Sequence, residues 1–197
     1  MLPRLIVYIV VALAIFIVFA VALSMARHRT RNPGPIGYSN IFVFLNWVDI
    51  DGFRKLIDPM EEAFLRQSHT RIEFGNIQEA RIQQACEYFS KMVINATALQ
   101  NFGYRHLGGT DNTKRLLAHR LINFAVPVKM FGRSGILILR FWKPLKVLQF
   151  VLISRSLPDL KDLVEEMLSA YQELKEGALA LAAYSEPGIE NQLFPRL

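Results

Sequence analysis

Residues 5–23 form a continuous apolar run, with no charged side chain and no helix breaker. At about 1.5 Å per residue a helix over this run reaches roughly 28 Å, close to the ~30 Å hydrocarbon core of a bilayer. The sequence therefore predicts a transmembrane helix carrying Leu5, Tyr8, Phe16, Phe19 and Leu23. A cleaved signal peptide has a basic start, a shorter apolar stretch and a small-residue exit site. Ala20-Val21-Ala22 and Ser24-Met25-Ala26 fit the last requirement, but the arginines lie on the far side of the run. Arg27, Arg29 and Arg31 follow it, whereas only Arg4 precedes it. By the positive-inside rule the amino terminus faces outward and the bulk of the chain is cytoplasmic. Cys86 is the only cysteine, so no intrachain disulfide forms, which is compatible with a reducing compartment.

The expected organisation has four parts: an anchor over residues 1–26, a basic flank and Pro/Gly linker over 27–40, one domain over 41–188, and a tail over 189–197. The formal charge of +6 conceals strong segregation. Residues 101–155 carry ten basic side chains and one acid, Asp111, whereas residues 156–197 carry three basic and eight acidic ones. Two readings fit. Either the carboxy-terminal helix neutralises the basic block, or that block faces anionic headgroups or a partner. No recognisable nucleic-acid motif accompanies the basic residues, so no nucleic-acid partner is expected.

Asn32-Pro33-Gly34-Pro35 ends the first helix. Residues 41–48 make an apolar, aromatic run containing Phe42, Phe44 and Trp47, placed either in the core or in the headgroup zone. Asp58-Pro59-Met60-Glu61-Glu62 reads as a helix start, with a capping Asp, Pro at the first position and acids in the first turn. Asn76-Ile77-Gln78-Glu79 resembles a capping box opening a longer helix. Ile82, Ala85, Cys86, Phe89, Met92, Val93, Ala96 and Leu99 form its buried stripe and Gly103 its stop. Asn95-Ala96-Thr97 matches a glycosylation sequon by chance, inside that helix. After an exposed loop over 108–113, residues 116–130, 136–142 and 145–153 read as strands. Pro127 marks a bulge and Gly132-Arg133-Ser134-Gly135 a turn. Ser156-Leu157-Pro158-Asp159 caps a last helix whose stripe runs Leu160, Leu163, Val164, Met167, Leu168, Tyr171 and Leu174, with Gly177 weakening its later part. The expected domain is α+β: an antiparallel meander of three or four strands flanked by helices.

Signatures of chemistry are sparse. The sequence contains neither a Walker-type phosphate loop nor G-x-G-x-x-G, and Gly132-Arg133-Ser134-Gly135 is one residue short of a nucleophile elbow. A single cysteine excludes thiolate-rich zinc sites. His28, His69, His106 and His119 show no ligand spacing. Asp49-Ile50-Asp51-Gly52 resembles only the start of a calcium loop, because Lys55 and Ile57 stand where ligands belong. No metal and no cofactor are expected. Arg105 and His106, beside Gly108 and Gly109, form the one place suited to a ligand or proton-transfer site.

The expected function is a non-catalytic accessory subunit of a membrane complex, with the bilayer and neighbouring subunits as partners. Its candidate interface comprises Phe42, Phe44, Trp47, Arg140, Trp142, Lys143 and Lys146. The alternatives are an adaptor binding anionic lipid and a small tethered enzyme using His106.

Overall fold

The computed structural model describes residues 45–108, 110–148 and 160–185, with the backbone alone for 141–148. The chain divides after Tyr38, and every described residue belongs to the second unit. The apolar run over 5–23, the basic flank, the linker, residues 149–159 with their capping sequence, and the tail lie outside the described residues.

Five helices and no strand are found among the described residues, so the expected meander is absent and the domain is all-α. They are α1 (Ile50–Ile57), α2 (Pro59–Ser68), α3 (Arg71–His106), α4 (Asn112–Leu148) and α5 (Lys161–Ser185). Helices α3, α4 and α5 pack on one another as an up-down-up bundle, with α1 against α3 and α5 and α2 against α1 and α3. The Tyr184 hydroxyl donates to the Asp111 carboxylate at 2.7 Å, which places the end of α5 beside the start of α4.

Where sequence and structure agree, the cause is local. Asp58 accepts from the Met60 N–H at 3.0 Å, with Pro59 at the first position of α2. The stripe expected on α3 is buried at Ile82, Ala85, Phe89, Met92, Ala96 and Leu99. That on α5 is buried at Val164, Met167, Leu168, Tyr171 and Leu174. Helix α3 nevertheless begins earlier than Asn76 and runs through Gly103. Its cap is Thr70, whose hydroxyl accepts from the Glu73 N–H while the Glu73 carboxylate takes the Thr70 N–H at 3.0 Å. This reciprocal pair satisfies two N–H groups the helix start would leave open.

The main correction concerns residues 116–148, which form α4. Ala118, Leu121, Ile122, Ala125, Val128, Gly132, Gly135 and Leu139 are buried at helical spacing. Pro127 is interior to the helix rather than at a strand edge. It supplies no N–H to the carbonyl four residues back, that of exposed Asn123. Gly132 and Gly135 make no turn. A Cβ on Gly135 would stand 2.6 and 2.7 Å from ring carbons of Phe89, and one on Gly132 would meet Val93 and, at 2.9 Å, Met167. These glycines let α3 and α5 approach the α4 backbone. Gly177 likewise lies within α5, which continues to Ser185.

The stretch Asn112–Arg140 of α4 is long and apolar enough to cross a membrane by length and composition. It is not the amino-terminal run. With Lys129 and Arg133 near its middle and one side packed on α3 and α5, we read it as a bundle helix.

Candidate functional site

Three places on the bundle bring chemistry-bearing residues together. The first is the end where α3 stops and α4 starts. His106 is buried in the last turn of α3, its ring edge-on to Phe102 with centroids 4.6 Å apart. Burial, then the charges of Lys114 and Arg105, hold its pKa below the usual imidazole value. The Nη1 of Arg105 is buried without a hydrogen-bond partner among the described residues. Asp111 accepts from the Thr113 and Lys114 N–H groups at 2.8 and 3.3 Å. With the Tyr184 hydroxyl, which contributes most, these bonds lower its pKa. This acid is therefore committed to capping α4, and His106 to packing as a neutral side chain.

The second is a clasp in mid-bundle. Asn95 is fully buried, and its carboxamide binds the Asn46 backbone twice. Its oxygen accepts the Asn46 N–H at 2.8 Å and its Nδ2 donates to the Asn46 carbonyl at 2.7 Å. The same Nδ2 donates to the Tyr171 hydroxyl at 2.7 Å. Burial raises the Tyr171 pKa to about 12. One side chain thus joins the incoming segment over residues 45–49, α3 and α5. Asn95 of the sequon is accordingly inaccessible in the folded chain. Asp49, weighed as a metal ligand, instead accepts from the Gly52 N–H at 2.9 Å and caps α1. Phe53 of α1 then stacks on Tyr88 and meets Phe89 edge-on, at 5.0 and 5.1 Å.

The third comprises two outer faces. Helix α2 is inverted: Glu62 is buried and pairs with Arg66 at 3.0 Å, while Met60 and Phe64 point to solvent. The Arg66 guanidinium covers the Phe74 ring at 5.4 Å. Ile72, in the first turn of α3, extends this exposed apolar corner. Helix α4 contains eight basic residues and no acid. Among the described residues none of its cations forms a salt bridge. Glu165 of α5 pairs with Arg54 at 3.4 Å.

Of the expected interface residues, only Trp47 and Arg140 have described side chains. Trp47 is exposed beside the Asn95 clasp, and Arg140 is exposed far along α4. Trp142, Lys143 and Lys146 lie in the last turns of α4, where only the backbone is described. Leu5, Tyr8, Phe16, Phe19, Leu23, Arg27, Arg29, Arg31, Phe42 and Phe44 lie outside the described residues. Arg105 and His106 do share one end of the bundle with Lys114. The clasp, the inverted α2 and the unpaired cations of α4 had no signature in the linear pattern beyond the α4 charge count itself. No protein family, curated protein or solved structure matches this chain.

Proposed function

We propose that the chain is a non-catalytic accessory subunit of a membrane assembly. Its apolar run over residues 5–23 is the tether, its amino terminus is outside, and the helical bundle is cytoplasmic. The observation that carries the reading is the inversion of α2. Met60 is 78% and Phe64 67% exposed while Glu62 is buried, the reverse of what a helix facing only water stabilises. With Ile72 these side chains make a compact apolar corner suited to a neighbouring subunit. The unbroken apolar character of residues 5–23 supports a tether, since a transport path would place ionisable groups within it.

The test is mild-detergent purification of the tagged full chain, at low and high salt, with identification of what co-migrates. A stoichiometric partner lost from Phe64→Asp is the expected result. Recovery of the unaltered chain as a lone monomer at both salt concentrations would overturn the reading. Topology is tested separately with Cys86→Ser/Thr110→Cys. Labelling of this variant by an impermeant thiol reagent in intact cells contradicts a cytoplasmic bundle.

A further inference from the structure

The outer face of α4 plays no part in the reading above and carries an independent one. Opposite the buried row, Leu116, Val126, Met130 and Ile138 are 62%, 44%, 58% and 38% exposed. They are spaced ten, four and eight residues apart, which at 3.6 residues per turn keeps them within about a third of the helix circumference, so they line one side. Arg115, Arg120 and Arg140 are exposed on the same helix, with Arg133 and Lys129 half-buried along it. Among the described residues Arg115 bonds to Asn112 in its own first turn and Lys129 to Gln100. From Arg115 to Arg140 the row of charge extends about 38 Å at the helical rise. An exposed apolar row beside unneutralised cations, with no acid on the helix, complements a surface that is negatively charged outside and apolar just beneath.

We infer that the outer face of α4 lies along an anionic lipid surface, its arginines among the headgroups and Met130 and its apolar neighbours at the acyl boundary. The charge makes the contact selective for anionic lipid. The apolar side chains keep part of it when salt screens the charge, because screening shortens electrostatic reach to ~3 Å at 1 M but leaves apolar burial in place. The helix lies on the bilayer rather than across it, since its opposite side is occupied by α3 and α5.

The experiment uses the full chain reconstituted into vesicles of phosphatidylcholine alone or mixed with phosphatidylserine. A nitroxide is placed by Met130→Cys in a Cys86→Ser background, with Ser169→Cys on the exposed side of α5 as reference. Collision with a water-soluble nickel chelate and with oxygen gives the depth of each label. In anionic vesicles the Met130 position should become shielded from the chelate and oxygen-accessible at headgroup depth, while the Ser169 position stays in water. Arg115→Gln/Arg120→Gln/Arg140→Gln should lower the ratio of surface-bound to free bundle roughly fivefold per arginine, about a hundredfold together. Identical accessibility in neutral and anionic vesicles would overturn the inference, as would a signature at the bilayer centre. The triple variant retains Met60, Phe64 and Ile72, so loss of lipid contact with partner recovery intact separates this inference from the subunit reading.

Discussion

Replacing Gly135 with alanine isolates the close packing on which the bundle depends. In an unobstructed helix interior this change stabilises by about 1 kcal/mol, because alanine loses less backbone entropy and covers more of the chain. At Gly135 the new methyl would stand 2.6 and 2.7 Å from two ring carbons of Phe89, far inside van der Waals contact. The ring has nowhere to move: Phe89 is fully buried and its ring meets that of Phe53 edge-on at 5.1 Å. Relief requires α3 and α4 to separate, an overpacking cost of about 1–3 kcal/mol. The upper part of that range applies, since three ring atoms are met together. The net effect is destabilisation by about 1–2 kcal/mol, or roughly 2–8 °C in Tm for a chain of this size. Gly75→Ala is the internal control, because a Cβ there meets nothing within 4 Å. It should raise Tm by about 2–4 °C. Thermal melts of the purified full chain in detergent, followed by circular dichroism at 222 nm, read both. If Gly135→Ala raises Tm as Gly75→Ala does, the close approach is wrong. A double-mutant cycle adds a sign: Phe89→Leu should cost less in the Gly135→Ala background than alone.

Two further outcomes follow from the buried polar groups. Asn95→Ala removes both bonds to the Asn46 backbone and the one to the buried Tyr171 hydroxyl and should destabilise by about 2–4 kcal/mol, with faster amide exchange over residues 45–49; unchanged Tm and exchange would refute the clasp. His106 gives an acid-side dependence. Because its folded pKa is lowered, the unfolded chain binds the proton more readily, so stability is full above the unfolded value of ~6.5 and declines as pH falls from there toward the folded value. The wild-type chain should therefore lose more Tm than His106→Gln between neutral pH and pH 5, and equal losses would remove His106 as the cause.

Legibility in the sequence followed the contrast between faces. Helices α2, α3 and α5 were readable because Asp58-Pro59 marks a start and because polar residues separate their apolar stripes. Helix α4 was not. From Leu116 onward apolar residues are so dense that periods of 2 and 3.6 both fit, and Pro127, Gly132 and Gly135 then read as punctuation. Their meaning depends on Phe89, Val93 and Met167, which come from other helices. The early start of α3 was available in Thr70-Arg71-Ile72-Glu73, but Asn76-Ile77-Gln78-Glu79 offers a rival four-residue pattern. At the candidate sites, Arg105 and His106 were identifiable by residue type. That the described cations of α4 form no salt bridge among the described residues is a tertiary outcome, which charge counting does not reveal. The inversion of α2 is similarly a tertiary outcome, since Met60 and Phe64 look like core residues in isolation.

The Asn95 clasp also has a mechanical consequence. The carboxamide presents one donor and one acceptor to the backbone of Asn46, so this grip requires a residue with a backbone N–H at that position. Changes at Asn95 should therefore sever the joint, and proline at position 46 would remove one of its two bonds. Leu45 and Val48, on either side of this grip, are buried in the same core, so apolar packing holds the segment together with these two hydrogen bonds. Opening the joint therefore also means lifting Leu45 and Val48 out of the core, which ties loss of the clasp to loss of apolar burial.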